Sequence, residues 1–141
     1  MRQFLVIFCL VLSQVLLAQS PVGIWKSIDD ESGKEKSHVE IIEVKGKLYG
    51  KVIKLLDPNG RTTCTSCPGK DKGKPIIGMQ VMQNMVKVGD EWTDGTIIDP
   101  ANGKEYSCTL WFEDGKPNML KLRGYIGFSL FGRTQTWHRV K

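Results

Sequence analysis

From Gly23 to Val140, apolar and polar positions alternate in short runs separated by turn-forming residues. "VGIWKSID" (22–29) opens the series. "HVEIIEV" and "KLYGKVIKL" follow on either side of Lys45–Gly46, a pair that predicts a tight hairpin. "WTDGTIID" and "KEYSCTLWFE" surround the turn "PANG" (100–103). "DGKPN" (114–118) turns the chain into "MLKLRGYI", and "RTQTWHRV" ends the series. "IIGMQVMQNM" (76–85) fits either a strand or a short helical turn. The pattern amounts to about eight strands and hardly any helix.

The alternation is one-sided. Tyr106, Cys108, Leu110 and Phe112 share one face of their strand. Leu120, Leu122, Gly124 and Ile126 share one face of theirs, with Lys121 and Arg123 opposite. One buried and one wet face is the signature of an antiparallel sheet. Up-and-down strands in one small domain most economically close into a barrel, which removes the sheet edges. A two-sheet sandwich fits the same pattern. In a closed barrel the first and last strands are neighbours. Trp25 in "GIW" and Arg139 in "TWHR" are therefore expected to stack, guanidinium over indole, and plug one end.

The N-terminus changes the picture of where the chain works. Arg2 precedes "FLVIFCLVLSQVLLA", an apolar run ending in the small residue Ala18, which predicts a secretory signal peptide over residues 1–18. The run is short for a membrane anchor, contains Ser13 and Gln14, and lacks a basic stop-transfer flank. Cys9 lies inside the run, so a lipoprotein cleavage box is not expected. The mature chain, 19–141, is then one domain, periplasmic or secreted, where disulfides persist. Formal net charge is +5, and Arg2 is the one charged residue removed with the leader. Lysines and glutamates are interspersed, and no basic face with interleaved aromatics stands out, so nucleic acid is not an expected partner.

A longer likeness runs through the mature chain. "GIWKSID", "DGTIIDPANGKEYSC" and "LKLRGYIGFSLFGRTQTWHR" resemble a bacterial exported family known as domain of unknown function 2147, over roughly residues 21–140. The specific segment holds Arg123, Gly124, Tyr125, Gly127, Gly132, Arg133, Gln135 and Trp137. The Trp25–Arg139 pairing is similar to the barrel-end signature of lipocalin, fatty-acid-binding and avidin barrels. The resemblance implies a lipocalin-like barrel outside the cytosol and no established reaction or ligand.

Candidate chemistry is sparse. Cys64 and Cys67 form a C-x-x-C in a Gly/Pro/Lys loop, with Arg61, Lys70, Lys72 and Lys74 around it. A thioredoxin-type motif sits at a helix N-terminus, which this loop does not offer. The favoured reading is a local disulfide that pins the loop, contributing about 2 kcal/mol in the chain-entropy view. Thiol-redox chemistry is the runner-up. Cys108 is either a buried free thiol or a partner of Cys64 or Cys67. Three mature cysteines with His38 and His138 far apart do not make a zinc set, so no metal and no cofactor is expected. Asp94 and Asp99 lack the defined separation of a glycosidase pair, and turn chemistry accounts for "DPNG" and "DPANG". Arg123 and Arg133 are candidates for an anionic head group, although Arg123 lies on the outward face. Met79, Met82 and Met85 suit a core or an adaptable pocket wall. In "GYIGFSLFG" (124–132), Phe128 and Phe131 belong to a lid, to a patch touching lipid or a partner, or to a plug folded into the barrel.

These features favour a non-enzymatic exported protein that binds a small apolar molecule. Its expected lining is Tyr49, Met82, Tyr106, Phe128 and Phe131. A filled barrel acting as an envelope interaction module, with peripheral membrane contact, is the alternative.

Overall fold

The computed structural model describes residues 19–141. The expected leader and its cleavage after Ala18 lie outside the described residues. Eight strands follow in order: β1 (Gly23–Ile28), β2 (Glu35–Val44), β3 (Lys47–Leu55), β4 (Gln80–Val88), β5 (Glu91–Ile98), β6 (Glu105–Glu113), β7 (Lys116–Tyr125) and β8 (Arg133–Arg139). Each pairs antiparallel with the next, and β8 returns to β1. The result is a closed up-and-down barrel and not a sandwich. Among the described residues, two single 3-10 turns, Gly69–Asp71 and Ser129–Phe131, are the helical elements.

Period-two alternation builds the inner wall. Trp25 and Ser27 of β1, Ser37, Val39 and Ile41 of β2, Leu48 and Val52 of β3, Cys108 and Leu110 of β6, and Leu120 and Leu122 of β7 are all buried. The ambiguous segment 76–85 divides. Ile76–Met79 forms a turn, with the Met79 N–H donating to the Ile76 carbonyl at 3.0 Å, and β4 starts at Gln80. The "DGKPN" turn shrinks to Asp114–Gly115, because two residues suffice to reverse the chain and β7 begins at Lys116. Asn84 (φ 60°) and Asp94 (φ 64°) are β-bulge positions, where β4 slips against β3 and β5 against β6. Asn and Asp tolerate this left-handed backbone better than most residues. Such bulges tighten the local twist that barrel closure requires.

The two ends of the barrel differ. Lys45–Gly46, Gly89–Asp90 and Asp114–Gly115 are two-residue hairpins at one end. The connections 29–34, 56–79, 99–104 and 126–132 lie at the other.

The short-hairpin end is plugged. Trp25 is fully buried and pairs with Arg139 across the β1–β8 seam. The Arg139 guanidinium lies 4.3 Å from the Trp25 ring centroid. It donates to the carbonyls of Ser20 (2.9 Å), Val22 (3.1 Å) and Pro117 (3.3 Å), while Trp25 Nε1 donates to the Pro21 carbonyl at 2.8 Å. Partial desolvation holds the Arg139 pKa below its ordinary value. Phe112 bridges the plug, with its ring 6.1 Å from Trp25 and 5.9 Å from Trp92. Ile41, Leu48, Met82, Met85, Leu110 and Leu120 belong to the same buried cluster.

Candidate ligand cavity

The long-loop end is not filled. A cavity of about 470 Å³ lies there, bounded by Val39, Val52, Val81, Ile97, Leu122 and Trp137. The same parity that buries Ile41 and Leu48 in the core aims Val39 and Val52 inward. Between them they leave open space because serine replaces a large apolar residue at two adjacent inner positions. Ser27 of β1 and Ser37 of β2 are paired strand neighbours, buried, with their hydroxyl oxygens 2.7 Å apart. Gln135 of β8 also lines the space, and its Oε1 accepts from Trp137 Nε1 at 3.3 Å. The charged lining residues, Lys36, Asp57, Arg61, Asp99 and Arg133, come from strand ends and loops at the mouth.

Two devices hold the mouth. The first is the 56–79 loop. Cys64 and Cys67 form a disulfide, with both residues at most 2% exposed. Thr62–Cys64 and Lys74–Ile76 run antiparallel behind it: the Cys64 N–H donates to the Lys74 carbonyl at 2.9 Å and the Ile76 N–H to the Thr62 carbonyl at 2.9 Å. The loop seats on the 99–104 turn. Cys64 Sγ lies 3.5 Å from the Pro100 carbonyl oxygen, a contact rather than a hydrogen bond because the sulfur carries no proton. A Cβ on Gly103 would stand 1.9 Å from the Ser66 carbonyl oxygen, and its φ of +71° is itself a glycine conformation. Ile76, Pro100, Ala101 and Asn102 then form one side of the mouth.

The second device is Arg123. Its Nε donates to the Ser129 carbonyl at 2.8 Å and its NH1 to Thr134 Oγ1 at 3.0 Å, fastening the 126–132 loop to β7 and β8. Gly132 permits this, since a Cβ there would meet the Gly124 carbonyl oxygen at 2.6 Å. Arg133 makes a two-pronged pair with Asp30, whose carboxylate holds the guanidinium's proton more firmly than usual. Neither arginine candidate for a head group is therefore unengaged.

The expected lining is only partly assembled. Tyr106 and Phe131 line the cavity. Three others do not. Tyr49 lies outside the barrel, its hydroxyl donating to Asn84 Oδ1 at 3.2 Å, because it shares parity with Lys47 and Lys51 while Leu48 and Val52 face in. Met82 is fully buried in the core beneath the cavity, opposite Gly50, as Met79 and Met85 are also core. Phe128 stands on the loop tip, 76% exposed, beside Leu130 at 81% and Phe131 at 75%. The inward plug is thereby corrected: the loop turns through its 3-10 segment, presents Phe128 and Leu130 outward and keeps Phe131 at the rim of the mouth. Ser27, Ser37, Gln135 and Trp137 went unassigned in the sequence. The signal was there in part, since Ser27 shares parity with Trp25 and Ser37 with Val39.

Other candidates resolve simply. Cys108 is a free, buried thiol, and burial pushes its pKa up to about 12. Asp94 is a bulge residue, and Asp99 Oδ1 accepts the Ala101 N–H of its own turn at 2.9 Å. His38 and His138 sit on β2 and β8 opposite Lys26 of β1. Among the described residues, no group of three or more His, Cys, Asp or Glu is placed to hold a metal ion.

Against known proteins, the family model described as an uncharacterised protein conserved in bacteria, DUF2147, matches residues 23–139. No curated protein matches the sequence. The solved structure of protein HP1028 from the human pathogen Helicobacter pylori, described as belonging to the lipocalin family, is similar with a TM-score of 0.74. The likeness covers 86% of this chain and 84% of that one at 23% identity, and it is a likeness of fold.

Proposed function

The chain belongs to the bacterial family DUF2147, and from that premise and the open cavity we propose that it is an exported binding protein holding a small, mostly apolar molecule in its barrel. The observation that carries this reading is the cavity itself. Eight-stranded barrels are either filled by side chains or hold one small ligand. Here one end is plugged by Trp25 and Arg139, and the other keeps about 470 Å³ between aliphatic walls. That volume falls in the range of about 300–1,000 Å³ usual for small-molecule sites. Export is supported by the Cys64–Cys67 disulfide, which suits an oxidising compartment. Burial of both cysteines favours a staple over thiol exchange, which needs an accessible sulfur.

Native mass spectrometry of protein purified from its host tests the reading. We expect one small molecule per chain, and its loss in Ile97→Trp, which fills the cavity from β5. Protein that arrives empty, and binds an apolar fluorescent probe no better than Ile97→Trp does, overturns it.

The outward loop supports a second reading. Ile126, Phe128, Leu130 and Phe131 are 60–81% exposed at the mouth. Clustered apolar side chains of this kind suit contact with an envelope membrane or protein partner. Phe128→Ser with Leu130→Ser is expected to abolish vesicle co-sedimentation without changing ligand stoichiometry. Unchanged co-sedimentation removes this reading.

A further inference from the structure

The polar groups inside the cavity are unevenly distributed, and every deep one is uncharged. Ser27 and Ser37 sit side by side on β1 and β2, and Gln135 follows on β8, so these three side chains place their hydrogen-bonding atoms on one wall, while the Tyr106 hydroxyl of β6 accepts from Asn102 Nδ2 at 2.9 Å. Val52, Val81, Ile97 and Leu122 form the remainder, from β3, β4, β5 and β7. Resting on the carrier reading, we infer that the ligand is an uncharged alcohol, an apolar body whose hydroxyl lodges against the Ser27–Ser37 pair.

The hydrogen bonds explain why a hydroxyl fits. Ser27 Oγ lies 3.3 Å from the Ser37 carbonyl oxygen and 2.7 Å from Ser37 Oγ. Ser27 donating to that carbonyl and Ser37 donating to Ser27 Oγ satisfies both contacts at once. Both protons are then used, while lone pairs on both hydroxyl oxygens stay open to the cavity. The pair is an acceptor waiting for a donor. A ligand hydroxyl supplies one and remains neutral. Gln135 does not compete for it, because its Oε1 accepts from Trp137 and its Nε2 lies 3.5 Å from Asp30 Oδ1.

A carboxylate is poorly served at either depth. Inside, it would meet no cation, and an unpaired buried charge is strongly disfavoured. At the mouth two of the three lining cations already face carboxylates. Arg133 is bound by Asp30 and lies 3.2 Å from Glu31, Lys36 lies 4.0 Å from Asp29, and Arg61 donates to Thr65 Oγ1 at 3.0 Å. Asp57 and Asp99 line the same rim and repel a further anion.

Three probes of equal chain length, 1-dodecanol, dodecanoate at pH 8 and n-dodecane, test this by displacement of a bound apolar dye. The wild-type chain is expected to bind dodecanol about tenfold tighter than either other probe, the usual worth of one hydrogen bond satisfied in an apolar site. Ser27→Ala with Ser37→Ala is expected to erase that preference while keeping dye affinity, which also certifies that the variant folds. If the double variant loses dye binding, each single variant replaces it, with a partial loss of preference expected. Dodecanoate binding as tightly as dodecanol overturns the inference, and so does a preference that survives both substitutions. Failure of the dye and all three probes to bind the wild-type chain instead overturns the carrier reading on which this one rests.

Discussion

Replacing Arg139 by Ala should open the plugged end of the barrel and cost about 2–3 kcal/mol. The guanidinium sits 4.3 Å from the Trp25 centroid, a contact worth roughly 0.5–2 kcal/mol depending on desolvation. It also donates to three backbone carbonyls, those of Ser20, Val22 and Pro117. Charge-assisted bonds contribute about 1.5–3 kcal/mol each where water is absent. Here the three acceptors share one partly solvated cation and rehydrate after truncation, so their joint contribution is nearer the lower figure. For a domain of this size, each kcal/mol moves Tm by roughly 3–5 °C, giving a drop of roughly 6–15 °C. Urea unfolding followed by tryptophan fluorescence measures the loss, with Trp25→Phe and the double variant completing a cycle. A coupling of about 1 kcal/mol is expected between the two residues. Arg139→Lys should recover less than half of the stability, because an ammonium keeps the charge but cannot stack flat or fork between carbonyls. A stability change below about 0.5 kcal/mol in Arg139→Ala, within ordinary surface scatter, would refute the plug. So would zero coupling, or a fully stable lysine variant.

Two further predictions concern the cysteines. Replacing Cys64 and Cys67 by Ala should cost about 2 kcal/mol, the entropy of so short a ring, and should loosen the 99–104 turn; hydrogen exchange at Gly103 faster than in the oxidised protein checks the second effect. Cys108 should make stability fall with alkaline pH: its native pKa, about 12, lies above the ordinary thiol value of 9.0, so only the unfolded chain loses the proton between those values. The slope is about 1.4 kcal/mol per pH unit above pH 9, is absent below it, and should be missing from Cys108→Ala, so that it is carried whole by the difference between wild type and variant measured by urea titration at pH 8, 9 and 10; equal slopes in the two proteins contradict the assignment.

The barrel was largely legible in the sequence because its information is local and repeated. Alternation in β6 and β7, turn pairs such as Lys45–Gly46, and the Trp25–Arg139 ends all point to one architecture. The cavity was much less legible. Tyr49 could have been set outside by its parity with Lys47 and Lys51, but Ile53 on that same face weakens the contrast. Met82 fails for a different reason: the bulge at Asn84 breaks the count along β4, so position no longer predicts depth. Whether a barrel is hollow depends on volumes summed over all eight strands, which no single strand's pattern states. The outward turn of Phe128 and Leu130 rests on carbonyl contacts from Arg123, seven or fewer residues away in sequence but invisible to periodicity.

The contrast between two-residue hairpins at one end and long connections at the other bears on how such proteins diverge. Strand register is fixed by the hairpins, and a slip of one residue there would turn every inner side chain outward. The mouth loops carry no such duty, and lengthening them costs little closure entropy. Mutation can therefore rewrite 56–79 or 126–132 and reshape the mouth, while the plugged half stays as it is. A lineage built this way can drift far in sequence and in the shape of its mouth and still be recognisable by its base, with Trp25 and Arg139 marking the part that selection on fold alone would hold.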